Sequence, residues 1–211
     1  MKVAVSFLSS NYSLEETISI LDKSACDYIH VDIMDGVFVN NKTDDDAIFR
    51  VLRNVNKPLD IHLMVEHPIS YIERFKELNP SIITIHKEIN DDIRGLLKLI
   101  RSYGIKAGVA INPMTQVREI QDILSEVDSI LVMSVNPGLG GQKFLASSII
   151  KVGQIRSLNK NVWINVDGGI NDGNVKYLDS DIVVSGSYVC KSDDINKQIL
   201  RLKEIINEKG C

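Results

Sequence analysis

Eight short apolar runs alternate with helical stretches along the chain, and this alternation limits the available folds more than any other feature. The runs fall at residues 3–7, 28–34, 60–64, 82–86, 106–111, 129–135, 162–166 and 182–185. They are rich in Val and Ile and almost continuously hydrophobic, as parallel strands buried on both faces are. Between the first two, Ser13-Leu14-Glu15-Glu16 forms a capping box ahead of Ile18, Leu21 and Ala25. Further helices are expected over 47–55, after Pro68 (Tyr71, Ile72, Phe75 and Leu78 at helical spacing), over 93–103 before Gly104, and around Val117, Ile120 and Leu124. Three more are expected over 147–158, over 171–178, and through Ile195, Ile199, Leu202 and Ile206. Asp44, Asp45 and Asp46 read as a solvated helix start. Eight strand–helix pairs in 211 residues predict a single (β/α)8 TIM barrel, with 1–211 as one catalytic domain. An open doubly wound sheet would carry its glycine fingerprint after the first strand, and Ser6-Phe7-Leu8-Ser9 has none.

The second run, from Tyr28 to the turn at Asp35-Gly36, carries unusual residues. A period of two puts Tyr28, His30, Asp32 and Met34 on one face. A buried His and Asp are costly unless they satisfy each other or hold something. His62 and Met64 repeat the pattern in the third run, and His86 closes the fourth. Val166-Asp167-Gly168-Gly169 closes the seventh. Imidazoles and carboxylates from separate strand ends suit one divalent metal, with Zn, Fe, Mn and Co all compatible with mixed N/O donors. In a barrel, Ser6, Asp32, His62, His86, Asp167 and Ser187 all sit at C-terminal strand ends, where active sites lie.

Composition excludes several classes of function. With 24 Lys and Arg against 28 Asp and Glu, the formal charge is −4, and no long basic run appears. Nucleic-acid and membrane-surface binding are therefore not expected. Cys26, Cys190 and Cys211 are widely spaced and odd in number, which fits free thiols in a reducing, cytoplasmic setting. The N-terminal residues meet polar side chains too early for a secretory signal, and no apolar run approaches membrane-spanning length.

The glycines suggest a second ligand. Gly168-Gly169 follows the seventh run, Gly186-Ser187 the eighth, and Gly138-Leu139-Gly140-Gly141 the sixth. Barrel loops after strands seven and eight commonly hold phosphate through backbone N–H groups. Metal, paired acids and phosphate together suggest proton chemistry on a phosphorylated ketose. A Lewis-acidic metal would stabilise the enediolate left when a carbon next to the ketone loses its proton. Asp32 and Asp167 would then act on opposite faces of that carbon and invert it.

These residues resemble the ribulose-phosphate 3-epimerase family. The resemblance rests on Ser6-Phe7-Leu8-Ser9, His30-Val31-Asp32-Ile33-Met34-Asp35-Gly36, Ile61-His62-Leu63-Met64, and the run from Met133 through Asn136-Pro137-Gly138-Leu139-Gly140-Gly141-Gln142. Val166-Asp167-Gly168-Gly169-Ile170 and Ser185-Gly186-Ser187 complete it. It implies interconversion of D-ribulose 5-phosphate and D-xylulose 5-phosphate, with one divalent metal held by His30, Asp32, His62 and Asp167. It implies Asp32 and Asp167 as the acid–base pair, with Ser6 and His62 contacting substrate. Met34, Met64 and Met133 would line the mouth, and Gly138, Leu139, Gly140 and Gly141 would belong to the covering loop. Gly168, Gly169, Gly186 and Ser187 would bind phosphate. It also implies a homo-oligomer. The chain departs from the family pattern at Val5, Val37, Asn40, Leu139 and Asn165. Epimerases of the hexulose allulose 6-phosphate carry Ser where this chain has Gly169, which favours the pentose. A non-catalytic phosphosugar-binding barrel would not need both aspartates.

Overall fold

The computed structural model describes residues 1–208. Eight parallel strands close into a barrel in sequence order. They are β1 (Lys2–Ser6), β2 (Tyr28–Met34), β3 (Leu59–Met64), β4 (Ile82–His86), β5 (Lys106–Ile111), β6 (Ser129–Met133), β7 (Trp163–Asp167) and β8 (Ile182–Ser185). β1 pairs with both β2 and β8, which leaves no sheet edge. The helices are α1 (Leu14–Lys23), α2 (Asp45–Leu52), α3 (Ile69–Phe75), α4 (Ile93–Ser102), α5 (Ser147–Leu158), α6 (Ser187–Cys190) and α7 (Ile195–Glu208). The expected TIM barrel is therefore observed.

Alternation along each strand sorts the side chains. Val3, Val5, Ile29, Val31 and Ile33 point outward and pack with Ile18, Leu21 and Phe75 of the helix ring. Ala4, Tyr28, Ile82, Leu131, Ile182 and Val184 fill the lumen. Each large apolar side chain buried in the outer shell contributes about 1.5–3 kcal/mol. That shell is large enough to carry a lumen that also buries His30, Asp32, Asp60, His62, Thr84, Ser129 and Asn165. Polar groups gathered there cost stability, so their place at the barrel's centre calls for a chemical reason.

Local signals start several helices as expected. Ser13 and Glu16 form the reciprocal cap of α1, and the Asp44 carboxylate accepts from the Ala47 amide. α2 runs over Asp45–Leu52 rather than 47–55, because Asp22 takes the amides of Asn56 and Lys57 just beyond it. The helix expected around Val117–Leu124 is a 3₁₀ turn at Val117–Ile120. Its bonds, Glu119 to Gln116 and Ile123 to Ile120, span three residues rather than four. The helix expected over 171–178 shrinks to a 3₁₀ turn at Val175–Tyr177. There the Asn171 side chain accepts from the Gly173 amide and Asn174 bonds the Gly169 carbonyl, local contacts that compete with a helix. Leu78 lies in a separate 3₁₀ turn, Lys76–Leu78, after α3 ends.

Cys26 and Cys190 are free and buried, whereas Cys211 lies outside the described residues. Among the described residues, no helix is long and apolar enough to cross a membrane.

Candidate active site

The strand ends converge on a cavity of about 440 Å³ at the C-terminal mouth. Ser6, Asp32, Met34, Met64, Met133 and Asp167 line its floor and walls. Gly138, Leu139, Gly140 and Gly141 line one rim, and Gly168, Gly169, Gly186 and Ser187 line another. His30 and His62 are fully buried at its base. The barrel thus brings together every residue singled out in the sequence as a ligand, acid, base or substrate contact.

Register explains the cluster. Asp32 pairs with His62 across β2 and β3, and Asp167 ends β7. His30, Asp32, His62 and Asp167 each offer one donor atom, and these atoms all lie within 4.8 Å of one another. His62 Nδ1 is 3.0 Å from Asp32 Oδ1 and 3.9 Å from Asp167 Oδ2. His30 Nε2 is 3.4 Å from Asp32 Oδ1 and 3.9 Å from Asp167 Oδ2. That nitrogen is buried without a hydrogen-bond partner, although it faces two carboxylates. An unpartnered imidazole nitrogen amid mixed N/O donors fits a divalent cation, so this buried cluster could hold one.

Three residues that sequence reasoning gave no role support the cluster from behind. Asp60 Oδ2 sits 2.8 Å from His30 Nδ1. His86 Nε2 sits 2.8 Å from His62 Nε2, and His86 Nδ1 lies 3.0 Å from Glu88 Oε2. The signal for Asp60 was its place two residues before His62 on the same strand face. Ser6 Oγ donates to Asp32 Oδ2 at 2.7 Å. Ser134 Oγ donates to the carbonyls of Asp167 and Gly168, which pins the end of β7.

The environment separates the two aspartates. Burial raises the pKa of the Asp32 carboxyl, but His30 and His62 outweigh it and hold the group well below the usual range. Burial pushes Asp167 up to about 7 against the pull of His30, and the charges of Asp32 and Asp60 add to the rise. Burial lowers His30, yet Asp32 and Asp60 hold it well above its ordinary value. Burial, with the neighbouring His62, pushes His86 down to about 4. One ionised and one protonated carboxyl at the same cavity can take and give a proton.

These shifts set a pH dependence for the metal-stripped protein. Asp167 binds a proton in the folded chain that the unfolded chain releases between 3.8 and about 7. Its stabilising contribution is full below the unfolded pKa and disappears as pH rises through about 7. His30 acts in the same sense. Asp32 is ionised in the fold, so its contribution is lost only as pH falls through and below 3.8. His86, pushed down to about 4 in the fold, acts in the opposite sense up to 6.5. The thermal midpoint of metal-stripped protein should therefore fall between roughly pH 6.5 and 8, and less so in Asp167→Asn. A divalent ion should reverse the slope, because its ligands must shed protons. Calorimetry across pH with and without metal checks both statements, and a flat profile for stripped wild type contradicts them.

Fold and mouth define a class: a (β/α)8 barrel with a buried His/Asp cluster at the open end and glycine loops around it. Comparison narrows the class. The model of the ribulose-phosphate 3 epimerase family matches residues 2–190. The chain is 40% identical over 213 residues to a ribulose-phosphate 3-epimerase of Helicobacter pylori (strain J99), covering 97% of this chain and 98% of that one. It is 36% identical to the ribulose-phosphate 3-epimerase of Bacillus subtilis (strain 168), over 96% and 98% of the two chains. A solved 3-hexulose-6-phosphate synthase from Salmonella typhimurium superposes with a TM-score of 0.73 at 15% identity, covering 99% of this chain and 100% of that one, a likeness of fold alone. The chain belongs to the ribulose-phosphate 3-epimerase family, and it is an epimerase, an isomerase by reaction class.

Proposed function

We propose that the chain interconverts D-ribulose 5-phosphate and D-xylulose 5-phosphate by two-aspartate proton transfer at C3. The observation that carries this reading is the pairing of Asp32 and Asp167 at one cavity with opposite proton demand. Asp32, ionised and oriented by Ser6, removes the C3 proton on one face. Asp167, protonated, returns a proton to the other face, and the roles exchange in the reverse direction. β8 and β1 separate the two strands, so the carboxylates approach the carbon from different sides. His30, Asp32, His62 and Asp167 hold one divalent ion (Zn, Fe, Mn or Co). When bound, that ion supplies the positive charge that stabilises an electron-rich, deprotonated substrate.

Met34, Met64 and Met133 give the floor an apolar, water-poor character beside the reacting carbon. The loops at Gly168-Gly169 and Gly186-Ser187 hold the phosphate, and Gly138–Gly141 covers it. Lys191 is the one cationic side chain among the residues lining the cavity, and it balances a dianion there. The two free buried thiols support a cytoplasmic setting. Family membership supports a homo-oligomer.

The test is a screen of metal-stripped enzyme reloaded with Zn, Fe, Mn or Co against pentulose 5-phosphates and hexulose 6-phosphates. The expected result is metal-restored turnover of ribulose 5-phosphate, with allulose 6-phosphate far slower. Faster turnover of the hexulose would replace the substrate assignment. Binding without turnover under any metal would favour a non-catalytic barrel.

A further inference from the structure

The lumen contains a hydrogen-bonded chain whose outer members take no part in the reaction itself. It starts at His62, passes through His86 and Glu88, and ends in the loop after β5. His62 and His86 are fully buried, and their rings stack with centroids 5.0 Å apart at an interplanar angle of 27°. Glu88 Oε1 accepts from the Asn112 amide at 2.8 Å and from the Thr115 hydroxyl. Lys151 Nζ in turn donates to the carbonyls of Asn112, Pro113 and Thr115, which fixes the loop that supplies those donors.

The direction of every bond follows from the outer end. Glu88 is surrounded by donors, so its carboxylate acts as an acceptor throughout. His86 Nδ1 must then carry the proton that faces Glu88. In the neutral ring this leaves His86 Nε2 as a lone pair. The contact of 2.8 Å to His62 Nε2 needs one proton, and only His62 can supply it. With a cation in the cluster, His62 is thereby set with hydrogen on Nε2 and a lone pair on Nδ1, the nitrogen that faces Asp32 and Asp167. Without one, the 3.0 Å contact of the same nitrogen with Asp32 is a hydrogen bond. His30 shows the same plan by a shorter route. In the neutral ring that a bound cation requires, its Nδ1 donates to Asp60, which leaves Nε2 free toward the cluster.

We propose that His86 and Glu88 are positioning residues that fix the tautomer and ring orientation of His62, and so set the affinity of the cluster for its cation. This rests on the metal-binding reading given above. Partners of this kind orient ligands, and their loss typically costs 10–100-fold in metal affinity.

The test titrates metal-stripped protein with cobalt(II) against a chromophoric chelator, for wild type and for His86→Leu, His86→Gln and Glu88→Ala. Wild type should bind one ion per chain with a visible d–d spectrum. His86→Leu should bind about 10–100-fold more weakly with an altered spectrum. His86→Gln should recover most of the affinity, because its amide can accept from His62 and donate to Glu88 in the same sense. Thermal unfolding of the metal-stripped Leu and Gln variants is the structural control, and the rescue by Gln should show in affinity and spectrum rather than in folding. Should His86→Leu fail to fold, Glu88→Ala, at a partly exposed position, should still weaken cobalt binding by about 3–10-fold. Wild-type affinity in Glu88→Ala and His86→Leu, or equal loss in Leu and Gln, overturns the positioning role while leaving the metal site standing. Absence of cobalt binding by wild type overturns both.

Discussion

Asp167→Asn should lower kcat on the order of 10³-fold while leaving the fold unchanged. The structural half of this expectation follows from how little Asp167 does for the barrel. Its carboxylate comes no closer than 3.9 Å to His30 and His62, and β7 is pinned instead through the Asp167 and Gly168 carbonyls by Ser134. Asn has the same shape and removes only the proton and the charge. The chemical half follows from the need for two faces. Asp32 stays intact in the variant, ionised and bonded to Ser6. It can remove a proton and return one to the same face, but it cannot invert the carbon. In deuterated water, one epimer should therefore exchange its C3 hydrogen without converting, and Asp32→Asn should show the complementary selectivity. Asp167 is also a proposed ligand, so cobalt content is measured alongside to separate lost charge at the cluster from lost proton transfer. Near-normal turnover in Asp167→Asn would defeat the two-acid scheme. Loss of exchange from both epimers in a variant that still binds cobalt would point to a single acid serving both faces.

The barrel was readable because its signal repeats. Eight Val- and Ile-rich runs at even spacing leave few alternatives, and a one-residue error at β3 or β7 does not alter the topology. The cluster was readable because alternation places His30, Asp32 and His62 on an inward face and Gly168-Gly169 marks the end of β7. The supporting residues were half visible. Glu88 continues the inward series of Thr84 and His86, and Asp60 that of His62, yet neither pattern says which nitrogen each residue holds. That depends on register, which puts Asp32 opposite His62 and His30 opposite Asp60. The opposite proton demands of Asp32 and Asp167 were likewise hidden, because they arise from burial and from how closely His30 and His62 approach each carboxylate. The misread helices are those whose ends are decided by side-chain bonds to nearby backbone, as at Asn171 and Asn174. α6 was missed because four residues are too few to show a period.

Gly169→Ala should damage both the mouth and the fold, and Gly169→Ser should not create a hexulose-phosphate epimerase. Gly169 has φ of +65°, which by itself costs an L residue about 1 kcal/mol. The larger obstacle is space. A Cβ at Gly169 would lie 2.6 Å from the Phe144 nitrogen and 2.9 Å from the Gln142 carbonyl oxygen. Both are backbone atoms, which cannot rotate aside as a side-chain tip can. The segment they belong to is fastened at both ends. The Leu145 amide bonds the Ser134 carbonyl, and the Gln142 side chain holds the carbonyls of Asn136 and Leu139. Pushing it outward moves the glycine loop and loosens Ser134, which also pins Asp167. The expected outcome is a rise in KM for the phosphorylated substrate of at least about tenfold, a fall in kcat, and roughly 2–3 kcal/mol of lost stability. Gly104→Ala is the control, because Gly104 has φ of +75° with no atom within 4 Å of an added Cβ. It should cost about 1 kcal/mol from strain alone and leave KM unchanged. If Gly169→Ala proves as mild as Gly104→Ala, the backbone crowding is not rigid and the phosphate cradle is not where the glycines put it. If Gly169→Ser turns over allulose 6-phosphate well, the turn can admit a Cβ and pentose selectivity does reside in it.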